Sequence, residues 1–152
     1  MRELYFYNTS SRDFLGDITQ LIERLYIQEH KVIVLCPDND VSAIVDEYLW
    51  SYKDESFLPH IKVDKDPSEF DSIVISSYQL NLESYKTLIV FKGSSVEIDY
   101  SNYFEKVYYF FDNSKNDERE VARTLWKEAI KSGTKCKYWQ VHENKWVLVR
   151  SA

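Results

Sequence analysis

Short apolar runs alternate along this chain with stretches of helical periodicity, and that alternation constrains the fold more than any other feature. Val32 to Cys36 is an unbroken apolar, mostly β-branched run, the pattern of a strand covered on both faces. Leu4 to Tyr7, Ser72 to Ile75, Leu88 to Phe91 and Lys106 to Phe111 read as further strands. Between them the spacing changes to three and four. Phe14, Leu15, Ile18, Leu21, Ile22, Leu25 and Tyr26 share one face of a helix expected to reach about Glu29, with Ser10 and Ser11 as candidate caps. Pro37 and Asp38-Asn39 turn the chain into a second helix striped by Val41, Ile44, Val45, Tyr48 and Leu49. A third is expected from about Asp117 to Ser132, with Asn116 as candidate cap and Gly133 as its stop. Lys53 to Asp71, with Pro59 and Pro67, reads as a polar connection. Lys135 to Val141 and Lys145 to Val149 alternate apolar with polar and can pair as a hairpin through His142-Glu143-Asn144. Strands alternating with helices predict an α/β fold over residues 1–152 as one domain: three layers, a mostly parallel sheet flanked by helices, and a possible C-terminal β-hairpin.

Several function classes fit this composition poorly. The only glycines are Gly16, Gly93 and Gly133, so no G-x-G-x-x-G or Walker loop can be written, and neither nucleotide nor other cofactor is expected. Asp38, at the end of the second strand, is where a dinucleotide-binding fold holds a ribose. The loop after the first strand, Asn8-Thr9-Ser10-Ser11, lacks glycine, which favours a helix cap for Asp38 instead. His30, His60 and His142 sit in separate segments outside any H-E-x-x-H pattern, and no G-x-S-x-G occurs, so no catalytic residue is assigned. Cys36 and Cys136 lie far apart without metal-ligand spacing and read as reduced, buried thiols. No membrane-length apolar run is present and the first residues resemble a strand, so a cytoplasmic location is expected. The net charge of −6 opposes strong direct binding to nucleic acid, which is driven by neutralising phosphates.

Aromatic residues make up 16% of the chain, more than one small core needs, so some rings are expected at a surface where a partner can cover them. Two places stand out. Trp50 closes the second helix, and Phe57 stands among charges before Pro59. Each ring needs either the core or a partner. From Arg119 to Lys137 there are six bases and two acids, a local charge of +4 within an acidic chain. Arg119, Arg123 and Lys127 recur every four residues and share a helix face, with Trp126 beside Arg123. That stripe suits an acidic peptide ending in an apolar residue and a carboxylate, which arginine can hold bidentately. It is equally compatible with a solvated face whose tryptophan points into the core.

Asp46-Glu47-Tyr48-Leu49-Trp50 followed by Glu55-Ser56-Phe57-Leu58-Pro59-His60 resembles the signature of the DNA polymerase III chi subunit family. Phe6-Tyr7 resembles the family's opening, and Val121 to Lys127 its last long helix. The resemblance spans nearly the whole chain. It implies a Rossmann-like fold without nucleotide and a non-catalytic role in the bacterial DNA polymerase III holoenzyme. It also implies two partners: the psi subunit, which ties chi to the clamp loader, and the acidic C-terminal tail of single-stranded-DNA-binding protein. By the same resemblance Trp50 and Phe57 belong to the psi side. Arg119, Arg123 and Trp126, with Phe111 at the end of the preceding strand, belong to the tail site, and the stripe read from helix spacing adds Lys127 to it. The chain departs from the family in having Trp126 where tyrosine is usual, and in continuing past the usual end through Trp146 to Ala152. Two other function classes compete: a nucleotide- or phosphate-dependent enzyme on the same frame, and a direct binder of single-stranded DNA using the aromatics and the +4 patch.

Overall fold

A computed structural model of the chain describes residues 1–10, 13–52, 58–63 and 71–152. Eight strands form one sheet: β1 (Glu3–Asn8), β2 (Val32–Leu35), β3 (His60–Lys62), β4 (Ile73–Ser76), β5 (Thr87–Val90), β6 (Lys106–Phe111), β7 (Lys135–His142) and β8 (Lys145–Ser151), in the spatial order β3-β4-β2-β5-β6-β1-β7-β8. Every pairing is parallel except β7 with β8. Four helices join them: α1 (Phe14–Ile27), α2 (Asn39–Ser51), α3 (Ile98–Ser101) and α4 (Asn116–Lys131). This is the expected α/β sheet with its C-terminal antiparallel pair.

The central strands β2, β4 and β5 are buried at every position, as their uninterrupted apolar runs require. Their alternate residues feed two cores. On one face Ile18, Ile22, Val45 and Leu49 of α1 and α2 pack with Val32, Val34, Ile73, Ile75 and Phe110. On the other, Ala122, Leu125 and Ala129 of α4 and Tyr100 of α3 pack with Leu4, Phe6, Val107, Tyr109 and Phe111. The adjacent strands β1 and β6 therefore lead into helices on opposite faces, the arrangement that opens a crevice at the carboxyl ends of parallel strands.

Local details depart from the sequence expectation. Asp13, not Ser10, caps α1 by accepting from the Gly16 amide, while Ser11 lies outside the described residues. The Ser10 hydroxyl turns instead to Asn8 and Asp112. Asn116 is the first residue of α4 rather than its cap; Lys115 holds the cap position without a side-chain bond. The polar connection from Lys53 to Asp71 contains β3, whose three residues are too few to show a period, and α3 is a single turn in a segment without a helical stripe. Asp38 caps α2 through its carboxylate to the Val41 amide at 2.8 Å, and Gly133 ends α4 at a φ of 81° that favours glycine. The hairpin turn narrows to Glu143-Asn144, both at positive φ, as a two-residue connection between twisted strands requires.

Candidate functional site

A groove of about 520 Å³ opens where α4 crosses the carboxyl ends of β1 and β6. All five residues singled out for an acidic tail line it: Phe111, Arg119, Arg123, Trp126 and Lys127. Phe6 and Phe111 reach it from adjacent strands, with ring centroids 6.3 Å apart. Both are almost wholly buried and so act as its floor. Trp126 leans on Phe6 at 5.3 Å and is half-buried, which reconciles two readings of the helix: its inner side packs on the core and its outer side walls the groove. Tyr138 of β7 packs against Phe111 at 5.9 Å and also lines the groove. Burial pushes its phenol above the ordinary tyrosine range.

The charge lining this groove is of one sign. Arg119, Arg123, Lys127 and Arg150 contribute cations, and none of the lining residues is a carboxylate. Arg123 is exposed and pairs with Glu120, 3.1 Å away and one turn back on the same helix. A solvent-exposed pair of this kind is worth about 0–1 kcal/mol, so an incoming carboxylate can displace it. Arg119 is the less exposed of the two. Its guanidinium donates to Asn116, while its buried Nε has no hydrogen-bond partner among the described residues. A buried donor left unpaired costs about 1–3 kcal/mol, a reason for an acceptor to enter here. Arg150 was not singled out from the sequence: its place in the groove depends on pairing across the hairpin.

Beside Asn113, which lines the groove, the two adjoining loops are joined by a polar knot. Asp112 accepts from the Ser10 hydroxyl at 2.8 Å and from the Ser114 amide at 2.9 Å, and the Asn113 amide donates to Asn8 at 3.0 Å. The loop after β1 thus spends its polar groups on the loop after β6. The Ser114 hydroxyl, helped by Ser10, holds the Asp112 carboxyl below its usual range despite partial burial.

At the other end of the sheet, Trp50 is 56% exposed at the end of α2. Its indole lies on the His60 ring with centroids 4.3 Å apart. The His60 side chain is fully buried, and its nitrogens meet the Leu58 carbonyl oxygen at 2.6 Å and the Asp46 carboxylate at 3.1 Å. Asp46, Trp50 and His60, separated in sequence, thereby form one cluster that ties the start of β3 to α2. Phe57 lies outside the described residues, so its expected meeting with Trp50 has no description. His142 and Glu143, 3.9 Å apart, are solvated at the hairpin turn. Burial pushes the thiol of Cys36 up to about 12 and that of Cys136 to about 11, leaving both poor nucleophiles near neutrality. Among the described residues no helix is long and apolar enough to cross a membrane.

Comparison with known proteins first gives the class. A solved structure of the S. cerevisiae Dbp5 C-terminal domain, bound to Gle1 and IP6, superposes with a TM-score of 0.55 over 92% of this chain and 90% of that one. At 8% identity the likeness is one of fold alone, that of a parallel α/β domain. The family follows from sequence: residues 1–137 match the model described as DNA polymerase III chi subunit, HolC, and the chain belongs to that family. A probable DNA polymerase III subunit chi of Rickettsia prowazekii (strain Madrid E) is 28% identical over 97 residues, or 63% of this chain. The match spans 58% of that relative's length.

Proposed function

We propose that the chain serves in DNA replication as an accessory subunit of the DNA polymerase III holoenzyme, without catalytic activity of its own. It joins the clamp-loader assembly, through the psi subunit, to the acidic C-terminal tail of single-stranded-DNA-binding protein. The observation that carries this reading is the convergence of Phe111, Arg119, Arg123, Trp126 and Lys127 on one groove. A cationic groove with an aromatic floor suits a peptide that is acidic and ends in an apolar side chain and a carboxylate. Arg123 takes the terminal carboxylate, the rings of Phe111 and Trp126 shelter the last side chain, and Arg119 and Lys127 draw in the acids. Trp50 supplies the psi-facing surface, being exposed and held by His60, and Phe57 is assigned to the same surface by its place in the family signature.

Calorimetry with a synthetic tail peptide tests this reading. Arg123→Ala is expected to weaken binding about 10- to 100-fold, since a hydrogen bond to a charged group contributes roughly 1.5–3 kcal/mol. A peptide lacking its last residue should lose most of its affinity. Equal binding by wild type and Arg123→Ala, or indifference to the missing residue, would remove the groove from consideration. Tight binding of fluorescent single-stranded DNA without its binding protein would favour direct recognition of DNA instead.

A further inference from the structure

Residues 138–152 lie past the part of the chain that the family model matches, and they include all of β8. We infer that β8 adds a binding residue to the groove: Arg150, carried across from the outermost strand, takes a carboxylate of the same acidic peptide and sets how strongly acids in that peptide are preferred. This inference rests on the groove's reading as a peptide site and extends it beyond the residues on α4.

The register of the hairpin explains how Arg150 arrives there. Cys136 and Tyr138 of β7 face α4, with Cys136 in its core and Tyr138 packed against it, so Lys137, Trp139 and Val141 face the α1 side. Trp146 pairs with Val141 and Leu148 with Trp139, so both point to the α1 side; Trp146 meets Tyr7 there at 5.2 Å. In an unbroken ladder Val149 would lie opposite Tyr138, and Arg150 would follow Trp146 and Leu148 to the α1 side. The register instead shifts between Tyr138 and Trp139, and Arg150 is the residue opposite Tyr138. Val149 is the extra residue of a β-bulge, a device that re-aims a side chain to the other face of a sheet. The end of the strand is fixed by two backbone bonds between Cys136 and Ala152, at 3.0 and 2.8 Å.

Arg150 thus stands over the Trp126 ring, its guanidinium carbon 5.7 Å from the centroid, within cation–π range. The side chain is exposed and makes no ion pair among the described residues. Stacking on an indole orients a guanidinium fork while leaving its edge donors open to a carboxylate. Arg119, Arg123 and Lys127 supply charge from the helix wall, and Arg150 supplies it from the strand wall, so a peptide lying along Trp126 has cations on both sides.

Calorimetry on the full chain with the acidic tail peptide decides the point, using three alanine variants that each remove one positive charge, at Arg150, Arg123 and Lys131, and Arg150→Lys, which keeps it. Arg150→Ala should weaken binding about tenfold and leave the melting temperature unchanged. Arg150→Lys should recover only part of the loss, because a lysine keeps the charge without the stacked planar fork. Lys131→Ala, an exposed charge outside the groove, should bind as wild type does. If Arg150→Ala matches Lys131→Ala while Arg123→Ala still weakens binding, Arg150 has no part in recognition and the groove reading stands. If Arg123→Ala also binds as wild type does, the groove reading fails and the role of Arg150 fails with it.

Discussion

The groove beneath α4 and the Trp50 edge both present indoles to solvent, and they do so by opposite constructions. In the groove the rings are shared with the core: Phe6 and Phe111 are 2% and 5% exposed, and Trp126 leans on Phe6 from the helix. At the edge a single indole stands more than half exposed on one buried imidazole, beside a strand of only three residues. The groove is concave and lined by cations; the Trp50 support is an aspartate and a histidine turned inward. On the proposed function, recognition and folding draw on the same residues in the groove, whereas at the edge they are separable. On that reading charge draws a ligand to the first surface, and apolar burial holds a partner on the second.

The largest expected effects expose that difference directly. Phe6→Ala removes a buried ring between β1 and α4 and should cost about 3–5 kcal/mol of stability. For a chain of this size each kcal/mol is worth about 2–4 °C, so calorimetric melting should fall by roughly 10 °C. Trp50→Ala loses the contact with the His60 ring and should cost less, about 0.5–1.5 kcal/mol. It should nevertheless weaken binding of the proposed psi partner by about 30-fold, the effect of losing a ~2 kcal/mol hot spot. If Trp50→Ala melts as early as Phe6→Ala, Trp50 belongs to the core and the contrast between the two surfaces is lost.

A smaller effect separates the forces. Between 0.15 and 1 M salt the screening length falls from about 8 Å to about 3 Å. Tail-peptide binding in the groove should weaken by about tenfold over that range, since its four cations act largely through solvent. Psi binding at Trp50 should change less than twofold, and high salt should not reduce the apolar contribution. Parallel loss at both surfaces would show that the edge also relies on charge.

How much of this was legible in the sequence follows the same division. The arginine stripe of α4 was readable because a helix places every fourth residue on one face, and Arg119, Arg123 and Lys127 need no tertiary information to be grouped. Phe111 enters only through the family resemblance, since nothing in the pattern of an aromatic strand marks its last residue as the floor of a groove. Arg150 was not reachable, because its facing depends on a bulge that neither the alternation of Lys145 to Val149 nor any turn residue announces. The relative exposure of Arg119 and Arg123 depends on how α4 lies over Phe111, a matter of packing rather than pattern. His60 reads in the sequence as an isolated histidine; only the return of β3 to α2 brings it under Trp50 and against Asp46. Short elements escaped for a simpler reason: three residues of β3 and four of α3 span little more than one period of their templates, too few for an apolar pattern to repeat.

The smallest expected effect concerns the knot that braces the groove. Asp112 joins the ends of β1 and α4 by accepting from the Ser114 hydroxyl at 2.6 Å, the Ser114 amide at 2.9 Å and the Ser10 hydroxyl at 2.8 Å. Asn at this position keeps the shape and one acceptor oxygen but loses the charge, and neutral acceptors bind about half as strongly. Asp112→Asn should therefore cost about 1 kcal/mol, or about 2–4 °C in melting temperature near neutrality. The folded carboxyl titrates below its ordinary value, near 3.9 in an unfolded chain, mainly because of the Ser114 hydroxyl. Its stabilisation is thus fully present above that ordinary value and is lost as pH falls through the lower folded value. Melting curves should show a constant gap between wild type and Asp112→Asn from about pH 8 to pH 5, narrowing below about pH 4. Because the loop carries Asn113 and leads into Arg119, tail-peptide affinity should fall by about twofold while psi binding at the distant edge holds. A gap that stays constant through pH 3 would show that the carboxylate's charge contributes nothing to the brace. Equal losses at both surfaces would mean that the knot supports the whole sheet rather than the groove alone.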